Sequence, residues 1–242
     1  MKTKTISGAL FCMLLFASGC GTISIRATKV DGGEKQARTL PCKFRLANYS
    51  FSTADSLDRN ATYSSQLCSV PAVAGVLSQP AAEAILLKAY PDMFSTDSSA
   101  LPVSVSVSVQ SKSRAPSFFV SFITSLAGIL PTKDIDLQDL CEVKVSAKDE
   151  ENRGTEAMVR IGFCSESWFS IYTPTAMAMR GNERDFPGVS RVWKGALAFN
   201  AAEMQKAVFN ETFASAVLAA LRQMDENEVK RMALMRVLKS GP

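Results

Sequence analysis

The sequence predicts an α+β domain: a mostly antiparallel sheet of about four to six strands with helices packed on one face. Three observations predict it. Val103, Val105, Val107 and Val109 alternate with Ser104, Ser106 and Ser108, the two-residue period of a half-buried strand. Residues 141–148 and 155–164 alternate about a turn-like run, Asp149-Glu150-Glu151-Asn152-Arg153-Gly154, which reads as a hairpin. Asn200-Ala201-Ala202-Glu203 has the form of a capping box ahead of an apolar run, so a long helix is expected there.

The elements follow in chain order. Residues 43–51 alternate through Phe44 and Leu46 and suit a first strand. Residues 52–66 are polar and read as a loop. Ser78-Gln79-Pro80 opens a helix, because proline fits the first turn and serine can cap it. That helix runs through Ala84, Ile85 and Lys88 and stops before Pro91, since the residue before proline is pushed out of the helical region. Tyr90 to Phe94 form a turn, and the valine strand begins at Leu101.

Residues 117–130 are the most apolar stretch beyond the N-terminus. Phe118, Phe119, Phe122, Ile123, Leu126 and Leu130 recur at helical spacing. The segment lacks a basic face for lipid headgroups, so a core helix is expected rather than a membrane-dipping one. Asp134, Asp136 and Asp139 follow Pro131 and read as a solvated acidic loop. A calcium loop would need more oxygen ligands and a turn glycine. Residues 168–173 read as a separate strand, residues 180–185 as a charged loop, and residues 190–199 as a short edge strand. The long helix should break near residues 225–228 before a last piece at residues 229–238.

The chain has 242 residues and a formal charge of +4. No basic cluster of the sort that grips nucleic acid is present. It contains no histidine. This excludes Ser-His-Asp and Cys-His catalysis as usually built, and the commonest zinc sites. No S-x-x-K spacing occurs, so a Ser-Lys dyad has no support. No cofactor, metal or catalytic residue is assigned. Asp92, Asp97 and Glu166 are the loop acids to test if the protein is a carboxylate-dependent hydrolase.

The N-terminus carries the sharpest functional signal. Lys2 and Lys4 precede a short apolar run over residues 9–17, and Leu14-Leu15-Phe16-Ala17-Ser18-Gly19-Cys20 closes it. The run is too short to span a bilayer, which takes about 20 apolar residues, and has the length of a signal-peptide core. Small residues followed by cysteine resemble the lipobox of bacterial lipoproteins. Ala17 departs from the pattern, which usually has leucine there. The resemblance implies that Cys20 is lipidated (palmitate among its acyl chains) and becomes the first residue of the mature chain. Gly21 stands where an aspartate would favour inner-membrane retention, so the expected location is the outer membrane, facing the periplasm. The implied organisation is a signal peptide over residues 1–19, an anchor and tether over 20–41, and one α+β domain over 42–242. Loss of Lys2 and Lys4 lowers the charge from +4 to +2.

Export makes disulfides possible. With Cys12 in the signal and Cys20 on lipid, Cys42, Cys68, Cys141 and Cys164 remain, and four cysteines allow three pairings. The pleat argues against joining Cys141 to Cys164. Cys141 shares a face with Val143 and Val145, whereas Cys164 lies opposite Val159, Ile161 and Phe163. Cys42 with Cys68 is the expected bond, stapling the polar loop between them.

Further along, Tyr90-Pro91-Asp92-Met93-Phe94, Leu101-Pro102-Val103, Gly128-Ile129-Leu130-Pro131 and Tyr172-Thr173-Pro174 resemble a loose group of uncharacterised Gram-negative envelope lipoproteins. That group has no settled catalytic residues to carry over. The functional expectation is a lipid-anchored binding, assembly or transport accessory without catalysis. It would meet the membrane through Cys20 and an envelope protein or a second copy of itself through its domain, and would not bind nucleic acid. The alternatives are the carboxylate-dependent hydrolase and a subunit of a self-assembling complex.

Overall fold

Six strands and three helices make up the computed structural model over its described residues, which are 21–28, 40–53, 75–113, 132–149, 153–169 and 189–239. The expected signal and lipobox, Cys68 and the apolar stretch at 117–130 lie outside them. In chain order the elements are β1 (Gly21–Thr28), β2 (Phe44–Thr53), α1 (Gln79–Ala89), β3 (Leu101–Ser113), β4 (Thr132–Lys148), β5 (Gly154–Phe169), β6 (Val189–Ala196), α2 (Leu197–Gln223) and α3 (Glu226–Lys239). The strands form one sheet in the order β2-β3-β4-β5-β1-β6. Every neighbouring pair is antiparallel except β2 with β3. The fold is thus α+β, mostly antiparallel, as the alternation predicts.

The register explains the core. Val105 pairs with Val145, Val107 with Val143, Val109 with Cys141, and these continue to Ala157, Val159 and Ile161 on β5. Because side chains alternate, one in-register row of apolar residues puts the whole set on one face. That face is buried: Val103, Val105, Val107, Val143, Val145, Val159 and Ile161 are all closed to solvent. Ala82 and Leu86 of α1, Phe209 and Phe213 of α2, and Val229 and Met232 of α3 join the same cluster. All three helices therefore pack on this face.

Local chemistry sets the helix ends. The Ser78 side chain accepts a hydrogen bond from the Ala81 amide at 3.4 Å, with proline in the first turn. The Asp225 carboxylate accepts from the amides of Asn227 at 2.8 Å and Glu228 at 3.3 Å, which ends the break after α2 and starts α3. Helix α2 is buried on nearly every side from Thr212 to Leu221. Its polar groups there are satisfied within the helix: Thr212 Oγ1 donates to the Val208 carbonyl at 2.7 Å.

Several expectations are corrected. The segment read as a tether is a strand from Gly21 to Thr28, inserted between β5 and β6. Its Ile23 and Ile25 alternate with Ser24 and Arg26, and its partners are supplied by the far end of the chain. Asp134, Asp136 and Asp139 lie within β4 rather than a loop, and Asp139 is buried. Trp168 and Phe169 complete β5 instead of starting a new strand. Helix α2 begins at Leu197, ahead of the capping box.

Candidate functional surface

The alternation that buries one sheet face leaves the other free of the three helices. Asn48, Ser50 and Ser52 pair with Ser104, Ser106 and Ser108, which pair in turn with Ser146, Lys144 and Glu142. Small hydroxyl side chains make this part of the face flat. Two ion pairs cross it: Lys144 Nζ to Glu156 Oε2 at 2.8 Å and Arg160 Nε to Glu142 Oε1 at 2.7 Å. Both are solvent-facing, so each contributes at most about 1 kcal/mol. Exposed Met158 and Leu140 are the large apolar residues here. This is a polar surface suited to contact.

The candidate acids do not converge. Asp92 lies in the turn after α1, and Asp97 follows in the connection to β3, accepting a hydrogen bond from Ser95 Oγ at 2.6 Å. Both are exposed and sit beside the start of β2, where Phe44 bridges Phe94. Glu166 is far along β5, opposite Asp136 and Ser24. It is not a loop acid. Phe44 pairs with Leu101 at the start of β3, and Glu166 lies about a dozen rungs further along the sheet. At about 3.3 Å per residue, roughly 40 Å separate the two groups. A glycosidase pair needs about 5–9 Å. Among the described residues no group of three or more Cys, Asp or Glu is placed to hold a metal ion.

Cys141 is a buried thiol and Cys42 a half-buried one. Cys141 and Cys42 are both free. Cys68, expected to pair with Cys42, lies outside the described residues. Burial pushes the Cys42 thiol up to about 11. Burial, then the nearby carboxylates of Asp139 and Glu142, push Cys141 up to about 12. A thiol held protonated this strongly is a poor nucleophile. Cys141 pairs in register with Ile161, and Cys164 with Gln138, so the two sulfur-bearing residues sit at opposite parity as the pleat predicts.

A charged cluster ties α3 to the β4–β5 hairpin. Arg231 Nη2 donates to Asp149 Oδ2 and to Glu228 Oε2, both at 2.9 Å. Arg236 donates twice to the Ser98 carbonyl, at 2.9 and 2.7 Å. Desolvation tends to raise the Asp149 carboxyl, but hydrogen bonds from Arg231 and the Arg153 amide outweigh it and hold the group below its ordinary range. The Arg231 contacts fix the hairpin and those of Arg236 tie α3 to the connection before β3; both read as structural. Beyond them α3 leaves Leu234, Val237 and Leu238 largely exposed. The methionines divide: Met224 and Met232 are core, while Met235 is exposed.

Asp139 was not legible as a buried residue. Its odd position, shared with Cys141 and Val143, was the available signal. No protein-family model matches this chain, and no curated protein is significantly similar to it in sequence. Among the described residues no helix is long and apolar enough to cross a membrane.

Proposed function

We propose that the protein is a lipid-anchored envelope protein that acts by binding, holding a partner close to the outer-membrane surface it is attached to. The observation that carries the reading is the run from Leu14 to Cys20, which joins a signal-peptide core to a cysteine in the lipobox position. Two further facts support binding over chemistry. The chain has no histidine, and Glu166 stands far along the sheet from Asp92 and Asp97. The flat polar sheet face is the surface such a partner would meet. Two or more acyl chains on Cys20 would hold stably, each buried methylene contributing about 0.8 kcal/mol.

The test is a Cys20→Ala variant, followed by fractionation and by mass measurement of the N-terminal peptide. The expected result is acylated Cys20 in the parent and release of the variant from the membrane fraction. A variant that stays fully membrane-bound overturns the anchor. In-cell crosslinking with mass spectrometry then identifies the partner, an envelope protein or a second copy of the chain.

A further inference from the structure

The end of the sheet that would receive the lipid is defined by register. Gly21, the first residue of β1, pairs with Phe169, the last of β5. Phe169 pairs on its other side with Thr132, the first residue of β4. Thr22 pairs with Ala196, the last residue of β6. Thr132, Phe169, Gly21 and Ala196 therefore form one end of the sheet across four strands. Cys20 precedes Gly21 directly, so its Cα is only about 3.8 Å away. No spacer separates the proposed acyl group from the strand.

Resting on the anchor reading above, we infer that this end of the sheet is seated on the bilayer, with the strands standing up from it and the β4–β5 hairpin at the far end. Composition along the row agrees. Lys133 pairs with Trp168, and Trp168 with Thr22. Tryptophan and lysine are the residues that favour the membrane–water interface. Ser113 and Thr132, which flank the most apolar stretch of the mature sequence, lie toward this same end. Strand β5 has 16 residues, so at about 3.3 Å per residue the hairpin at Gly154 stands roughly 50 Å from the lipid. The charged residues Asp149, Arg153 and Arg231 are at that distal end. The polar sheet face then runs perpendicular to the membrane, open to a partner approaching sideways.

The chain's two tryptophans, Trp168 and Trp193, provide the probe. Acylated protein is reconstituted into phosphatidylethanolamine–phosphatidylglycerol vesicles with brominated acyl chains, and emission is compared with unbrominated vesicles. In a Trp193→Phe variant most of the Trp168 emission should be lost. An Arg153→Trp variant that also carries Trp168→Phe and Trp193→Phe should keep its emission. Should Trp193→Phe fail to fold, the parent protein serves, because Trp193 pairs with Ile25 deeper in the sheet and partial quenching is expected. N-terminal mass is measured on every sample. Acylated protein with unquenched Trp168 overturns the orientation alone. A chain with unmodified Cys20 overturns the anchor reading and this inference with it.

Discussion

Phe213 tests whether α2 is clamped onto the sheet. Its ring is buried, stacked on Phe209 with centroids 5.5 Å apart and edge-on to Tyr49 at 6.0 Å. Phe213→Ala removes the ring and leaves a cavity beneath a helix that has little room to collapse. Such truncations cost about 3–5 kcal/mol. Phe213→Leu restores most of the apolar volume but loses both ring contacts, each worth about 0.5–1.5 kcal/mol, so about 1–3 kcal/mol is expected. Urea unfolding followed by circular dichroism reads the difference. With a slope near 2 kcal/mol per molar, Phe213→Ala should lower the midpoint by about 2 M, and Phe213→Leu by about 1 M. If both variants unfold within about 0.3 M of the parent, Phe213 is not buried between α2 and β2, and the packing of this layer is wrong.

Three further outcomes are expected. Gly154→Ala should destabilise the hairpin by more than about 2 kcal/mol, because the added Cβ would run into the Ala147 carbonyl oxygen; an unchanged thermal midpoint would contradict the β4–β5 turn. Cys141 should resist iodoacetamide in the folded protein and react on unfolding, with peptide mass mapping as the readout. Its raised pKa also sets a pH dependence. Above about 8.5 the unfolded thiol ionises while the folded one keeps its proton, so the unfolded state binds fewer protons and stability falls. The slope for this one group approaches about 1.4 kcal/mol per pH unit until the folded thiol itself titrates near 12. A Cys141→Ala variant should show a correspondingly flatter alkaline limb.

How much was legible depended on where the pairing partner lies. Strand β3 carries valines at every second position, and the β4–β5 hairpin continues the alternation through Cys141, Val143 and Val145 and through Ala157, Val159 and Ile161 across a short turn, so the period was readable for all three and the facing for the hairpin. Strand β1 has the same period in Ile23 and Ile25, but it is short and follows directly on the run that resembles a lipobox. Its partners Phe163 to Phe169 are far away in sequence, and nothing local announces them. Asp139 hid the start of β4 for a different reason: a charge on an inward-facing position breaks the apolar rhythm. The parallel β2–β3 pair was also beyond reach, since a serine-rich edge strand looks alike in either direction. At the functional level, the separation of Glu166 from Asp92 and Asp97 is a long-range property that no spacing reveals.

The placement of β1 has a consequence for biogenesis. As the chain is synthesised from its N-terminus, β1 precedes the other five strands, yet its two neighbours β5 and β6 emerge near the end. Until then it carries two unpaired edges of backbone donors and acceptors, which invite pairing with other chains. Sheet closure is therefore a late, non-local event, and loop-closure entropy makes such events slow. Truncation ahead of β5 should leave a species that aggregates rather than a smaller folded domain, and chaperones would act on this protein during the interval before β5 arrives.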